Sequence, residues 1–376
     1  MTIGNRSKGQ IVTFYSYKGG VGRSRALANT AYQLAQYGKS VLCLDFDLEA
    51  PGLIGYFEKW DTSSDVKYKN RPGIIDLLYS YKEYLLLRSP LRKILDWKSL
   101  IHPITIVNGI GSSRVDIIGP GRQTQDYGSK VAQFDWLAFY DELEGGGFIE
   151  HLREQFREAY DYVLIDSRTG LSDIGGICSI QFPTILIIVF TSSPQSLSGL
   201  EAIVDDIGTQ HRALRKNFVP IIPLPSRIDR KEEKHEYDKW FENVVAGNIG
   251  KLLSPFLTGE GVESLLQKIT IEYVPWYTYR DELESELESS TDIGANALRY
   301  RNLVQLIYEA ANLSAENQYQ VIAEERIRRK LMEEENRVGF NLENLLDLNP
   351  HALEFPRAGA EFKNTLLDLK SVTEKQ

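Results

Sequence analysis

The apolar run Ile11-Val12-Thr13-Phe14-Tyr15-Ser16 leads, across Tyr17, into Lys18-Gly19-Gly20-Val21-Gly22-Arg23-Ser24. Arg25-Ala26-Leu27-Ala28-Asn29-Thr30-Ala31-Tyr32-Gln33-Leu34 follows at once. An unbroken apolar run bounded by glycine predicts a buried strand, and apolar residues at helical spacing predict a helix that stops near Gly38. A strand that turns through glycines into a helix N-terminus aims backbone N–H groups at one spot, which makes an anion site. The general loop of this kind reads G-x-x-x-x-G-K-[ST]; its amides cradle phosphates and its hydroxyl holds Mg²⁺. Gly22 and Ser24 keep that register. Tyr17 stands where the first glycine belongs, Arg23 replaces the lysine, and an extra lysine, Lys18, lies near the loop's start.

Beyond the loop, strand and helix patterns alternate. Ser40 to Leu44 predicts a second buried strand, ending in Asp45-Phe46-Asp47. A polar, helix-rich stretch from about Lys59 to Trp97 contains the amphipathic Gly73 to Tyr79. Ile104 to Val107 and Arg114 to Ile118 predict two strands around the turn signal Asn108-Gly109. Gly147 to Ala159 predicts a helix, Tyr162 to Ile165 a strand ending at Asp166, and Ser196 to Gln210 another helix. Thr184 to Phe190 shows no alternation and is expected to be central in the sheet. Phe218 to Leu224 predicts a further strand and Tyr273-Val274 a short one. This order predicts an α/β fold, a doubly wound and mostly parallel sheet with helices on both faces. From about Ala295 the chain looks wholly helical. Residues 1–312 are expected to form the sheet domain and 313–376 a helical C-terminal extension.

Carboxylates at the ends of parallel strands face the ligand crevice. Asp45, Asp47 and Asp166 hold such positions. The 376 residues carry a net charge of −9, which disfavours non-specific DNA binding, since that needs a concentrated basic face. The two cysteines, Cys43 and Cys178, fall in or beside buried elements, and the five histidines are scattered, so neither disulfides nor a zinc site is expected. The apolar run Thr184 to Phe190 is far too short to span a membrane. The first strand begins almost at the N-terminus, without room for a signal peptide, so a cytoplasmic location is expected.

The loop, the D-x-D pair and the segment ending at Asp166 together resemble the ParA/MinD family of deviant Walker A ATPases, in a branch that carries arginine at the lysine position. The resemblance covers about residues 9–310. It implies a P-loop NTPase with ATP and Mg²⁺ as ligands, and a homodimer when ATP is bound. Gly19, Gly20, Val21, Gly22, Arg23, Ser24 and Arg25 would surround the phosphates, and Lys18 would reach across the dimer to the partner's nucleotide. Asp47 would position the attacking water, while Ser24, Asp45 and Asp166 would support the metal; Arg23 joins Lys18 and Asp47 as a catalytic candidate. Ser167 to Asp173 takes the place of the family's second switch, where Arg168 is a candidate for stabilising charge. The loops Pro225-Ser226-Arg227-Ile228-Asp229 and Pro275-Trp276-Tyr277 would flank the base, with Arg227, Asp229, Pro275 and Trp276 as contacts. Asp229 echoes a guanine reader, but the resemblance favours ATP.

An ATPase is the expectation, slow because guanidinium is larger and flatter than an ammonium and the exchange at Arg23 is not conservative. Members of the arginine branch are often encoded in bacterial multi-gene clusters, including conflict and phage-defence ones. A dimerising switch that controls a protein partner is therefore expected. The alternatives are a nucleotide-sensing module without hydrolysis and a DNA-partitioning ATPase. A protein partner is favoured because the charged run from Glu324 to Arg337 mixes signs and the tail offers the pairs Leu345-Leu346 and Leu366-Leu367. Asp347, Glu354, Glu361 and Asp368 interrupt the basic face that a membrane-binding helix would need.

Overall fold

The computed structural model describes residues 8–313, apart from 63–67, 88–92, 109–110, 170–176, 202–203, 205–218, 231–233 and 257–260. The charged run and leucine pairs of the C-terminal extension lie outside the described residues.

Seven strands make one sheet: β1 Gln10–Tyr15, β2 Val41–Asp45, β3 His102–Asn108, β4 Gly111–Ile118, β5 Tyr162–Asp166, β6 Ile185–Phe190 and β7 Ile221–Pro225. Their spatial order is β3-β4-β2-β5-β1-β6-β7. Only the β3–β4 hairpin is antiparallel; β4–β2, β2–β5, β5–β1, β1–β6 and β6–β7 all pair in parallel. Successive residues of the inner strands serve opposite faces, as the two-residue period requires. Val41, Cys43, Tyr162 and Leu164 join one hydrophobic cluster, while Leu42, Leu44, Val163 and Ile165 join the other. Helix α1 (Arg23–Gln36) and the helical residues 296–313 cover the first face. Helices α2 (Ile74–Leu87) and α3 (Gly145–Ala159) cover the second. The sheet is thus doubly wound.

Helix α1 ends as its sequence predicts. Gly38 has φ +72°, its N–H donates to the Ala35 carbonyl at 3.0 Å, and the Lys39 N–H donates to Leu34 at 3.1 Å. This left-handed stop satisfies two of the last carbonyls.

Three expectations need correction. Strand β6 is not central; it lies second from one edge, beside β7, and all six of its residues are buried. Strand β7 begins at Ile221 because Pro220 has no N–H to give the ladder, although its carbonyl accepts from Leu186 at 2.9 Å. Pro223 and Pro225 mark β7 as an edge strand, a signal present in the sequence. Tyr273-Val274 forms no strand. A single bridge joins Ile228 to Glu272, and Pro275 then opens the short helix Pro275–Thr278.

Candidate functional site

Strand register puts the carboxylates at one edge. Asp45 of β2 and Phe14 of β1 both pair with Asp166 of β5, so the loops after all three strands leave from the same side of the sheet. The glycine loop turns there. Gly20 and Gly22 have φ +72° and +90°, conformations that a side chain strongly disfavours. Gly22 is the residue before α1 and supplies no side-chain cap, and the first turn of the helix has no acidic residue. The first amides of α1 and its dipole therefore face the loop's concavity.

A cavity of about 550 Å³ opens at this edge. Gly19, Gly20, Gly22, Arg23, Ser24, Arg25, Asp47 and Arg227 line it. Its size and mixture of polar and aromatic walls suit a small-molecule ligand. Tyr56, Tyr273, Val274, Tyr277 and Tyr300 supply apolar surface, and Glu272, Asp281 and Glu284 supply acid. Of these, only Tyr277 belongs to a loop expected at the base; no local sequence signal marks the others. Tyr300 and Glu284 reach the loop only because the chain folds back over α1.

Arg23 is the best-anchored side chain of the loop. It is 5% exposed, its Nε donates to Asp166 Oδ1 at 2.5 Å, and its Nη2 donates to Asp47 Oδ2 at 2.7 Å. Nη1 lies 3.4 Å from Ser16 Oγ. Burial alone would favour the neutral form, but Asp166 and Asp47 overcome it and hold Arg23 above its usual pKa, firmly cationic. Burial raises the Asp166 pKa, and Arg23 and Ser24 beside it oppose the rise.

Asp45 and Asp166 are both fully buried and absent from the cavity wall; Asp45 bonds backbone, Oδ1 accepting from the Asp47 N–H and Oδ2 from the Leu53 N–H, both at 3.3 Å. Burial, with Asp166 beside it, pushes its pKa well above the usual carboxylate range. It shapes the turn after β2.

Lys18 does not line the cavity of its own chain. Its ammonium donates to Gln195 Oε1, and its carbonyl accepts from Ser16 Oγ at 2.9 Å. Tyr17 packs on Gly199, so the loop's start rests on the helical residues 194–201. Val21 is buried below the loop. Arg168 pairs with Glu49 at 2.7 Å, both on the cavity wall.

The base loops also differ from expectation. Pro275, Trp276 and Asp229 are exposed and absent from the wall, where Tyr273, Val274 and Tyr277 stand instead. The short helix that Pro275 opens turns Tyr277 inward and leaves Trp276 outside, beside Arg280 at 4.8 Å. Arg227, at φ +57°, donates from Nη1 to the Gly20 carbonyl at 2.6 Å and lies over the Tyr273 ring.

Arg25 clasps the far wall. It donates to the Tyr277 and Arg280 carbonyls and lies 3.6 Å from Glu284, while Asn29 donates to Glu284 at 2.6 Å. Burial raises the Glu284 pKa, with Arg25 opposing it only in part. A carboxyl with a raised folded pKa stabilises the fold most below its unfolded value of 4.5, and that stability is lost as pH rises through the folded pKa. Glu284→Gln should therefore flatten the fall in stability between about pH 4.5 and neutrality. Denaturant titrations at several pH values check this; an unchanged slope would show that Glu284 is not its source.

The oxygens here fit a magnesium ion, which takes a few carboxylate or hydroxyl ligands and relies on phosphates and water for the rest. Ser24 and Asp47 face the cavity, and Asp166 Oδ2 is buried with no hydrogen-bond partner. Among the described residues no three His, Cys, Asp or Glu side chains group as a metal cage.

No family model matches the chain, and no curated protein matches it. Solved structures do. A plasmid partition protein from Borrelia burgdorferi superposes with a TM-score of 0.50 at 18% identity, over 80% of this chain and 99% of its own. The septum site-determining protein MinD from Pyrococcus horikoshii, solved with Mg-ADP, gives 0.51 at 15%, over 81% and 98%. An aspartate-to-alanine variant of Cyanothece McdA in complex with ATP gives 0.54 at 16%, over 81% and 97%. At such identities the likeness establishes the fold: the α/β fold of the ParA/MinD P-loop NTPases.

Proposed function

We infer that this chain is an ATP-dependent dimerising switch that binds Mg-ATP, hydrolyses it slowly and controls a protein partner. The observation that carries this reading is the divided glycine loop. Gly19 to Arg25, apart from the buried Val21, line the cavity, while Lys18, in the same loop, turns out of it onto residues 194–201. A lysine placed there has no role toward its own phosphates and suits a partner's. The fold is shared with proteins solved with Mg-ADP and with ATP, which supports a nucleotide ligand.

Within this reading, α1's amides, Arg25 and Arg227 bind the phosphates, and the tyrosines of the wall accept the base. Ser24, Asp166 and Asp47 would hold Mg²⁺, whose contribution is to neutralise charge on the transferring phosphoryl group. Asp47 orients the attacking water. One observation favours the second reading, a sensor that does not hydrolyse: Arg23 is tied to carboxylates, whereas a loop lysine would be directed at phosphate.

Light scattering and turnover separate these outcomes. The wild-type chain should be a monomer without ligand and a dimer with ATP and Mg²⁺, and GTP should act more weakly. In Asp47→Ala, turnover should fall at least tenfold, about 1.4 kcal/mol in barrier. A monomer at saturating ATP would refute the sandwich. Wild-type turnover that is already nil would leave the sensor. Tight DNA binding by the wild-type chain at physiological salt would instead favour partitioning.

A further inference from the structure

We propose that Arg23 is a resident counter-cation that keeps divalent metal out of the site until a nucleotide draws it away. This rests on the nucleotide-binding reading above and deepens it. The guanidinium enters from the first residue of α1 and bridges the ends of two strands, taking Asp166 Oδ1 at 2.5 Å and Asp47 Oδ2 at 2.7 Å. These oxygens are the ones a metal would use. Ligand and guanidinium cannot share them, and two cations a few ångströms apart repel strongly where water is excluded. Asp166 is 1% exposed and Arg23 is 5% exposed, so water does not screen the pair.

A second observation points the same way. Asp166 Oδ2 is buried and has no hydrogen-bond partner, although Oδ1 is engaged. A carboxylate held half-satisfied in the interior is costly, and a second cationic or donor ligand would relieve it. Arg23 is a flat fork suited to bidentate anions, so a triphosphate at the N-terminus of α1 offers it equivalent partners a short swing away. The swing frees Asp166 and Asp47 for the metal. It also unties Asp47, and with it the loop after β2 that carries Glu49 and Ala50 on the cavity wall. Nucleotide and metal then bind with positive coupling, and the coupling is reciprocal. A lysine here would offer a compact point charge in place of a rigid planar fork that holds the two carboxylates in fixed directions, which gives the substitution of arginine for lysine a purpose.

The test is Mn²⁺ binding, read by electron paramagnetic resonance on the full-length, nucleotide-free chain. The wild type should bind Mn²⁺ at least about tenfold more weakly than Arg23→Met. Arg23→Gln, which keeps a donor without charge, is the second variant and should behave as Arg23→Met does. Adding Asp166→Asn to Arg23→Met should abolish the gained site. Mn²⁺ should raise the melting temperature of Arg23→Met and leave that of the wild type unmoved. A non-hydrolysable ATP analogue should give the wild type a tight Mn²⁺ site. Equal Mn²⁺ affinity of the nucleotide-free wild type and both variants would overturn the proposal. Because those arms contain no nucleotide, a chain that binds no ATP at all would defeat the functional reading and leave the counter-cation result standing.

Discussion

Arg23→Met is expected to destabilise the nucleotide-free chain by about 3–5 kcal/mol, the usual result of removing one member of a buried, hydrogen-bonded ion cluster. The guanidinium is buried and engages two carboxylates, one of them fully buried, and methionine leaves both without a counter-charge. Asp166, whose pKa burial already raises while Arg23 opposes the rise, then prefers the protonated form still more strongly. A raised acid pKa gives stability that is present at low pH and lost as pH rises, so the penalty should be largest at neutrality and shrink as pH falls toward about 4. Urea titrations of wild type and variant at pH 7 and pH 5 measure both effects. A penalty below about 1 kcal/mol at pH 7 would place the pair in the range of exposed ion pairs and contradict the burial described above.

Gly22→Val should cut nucleotide affinity at least about a hundredfold, near 2.7 kcal/mol. Two causes add. Residue 22 has φ +90°, and a β-branched side chain in the left-handed region costs more than the roughly 1–2 kcal/mol usual there. A Cβ would also stand 3.0 Å from Ser226 Oγ and 3.8 Å from Arg227 Cγ, so the valine would push against the far wall of the cavity. Relieving either strain moves the first amides of α1, which are the proposed phosphate donors. Gly20→Val provides the contrast, since that position has φ +72° but open space around it and should pay the backbone term alone. Equilibrium binding of a fluorescent ATP analogue to both variants decides the matter. Equal losses at the two positions would show that the contact with Ser226 and Arg227 carries no weight.

The glycine loop, the helix after it and the strands on either side were legible because their information is local. Gly38 stops α1 where its sequence says, and the alternation of Val41, Leu42, Cys43 and Leu44 between two buried faces follows from the strand period alone. Strand rank was not legible from hydrophobicity. The run Ile185–Phe190 is uniformly apolar and wholly buried, and that property does not distinguish a middle strand from one beside the edge. The prolines of β7 did hold the edge information, since an unpaired side of a strand tolerates residues without an N–H.

For the site, local pattern singled out the candidates: Gly20 and Gly22 for the turn, Ser24 for the hydroxyl, and Asp47 and Asp166 at or just beyond strand ends. Pattern could not determine what those groups do to one another. Asp45 and Asp47 look equivalent because the strand period would put residues two apart on one face, but β2 ends at Asp45 and Asp47 lies in the turn beyond it. The turn that follows ties Asp45 to backbone amides and leaves Asp47 facing the cavity. Likewise Tyr277 faces inward and Trp276 outward because a proline-opened helical turn sets their direction, and Glu284 and Tyr300 reach α1 from the far end of the chain. Sequence alone settled the fold class and the glycine turn into α1, because backbone propensity and side-chain period act over a few residues. Only the tertiary structure decided that Arg23 bridges Asp166 and Asp47, because that contact depends on β1, β2 and β5 lying side by side, and strand pairing is a long-range property that no short segment encodes.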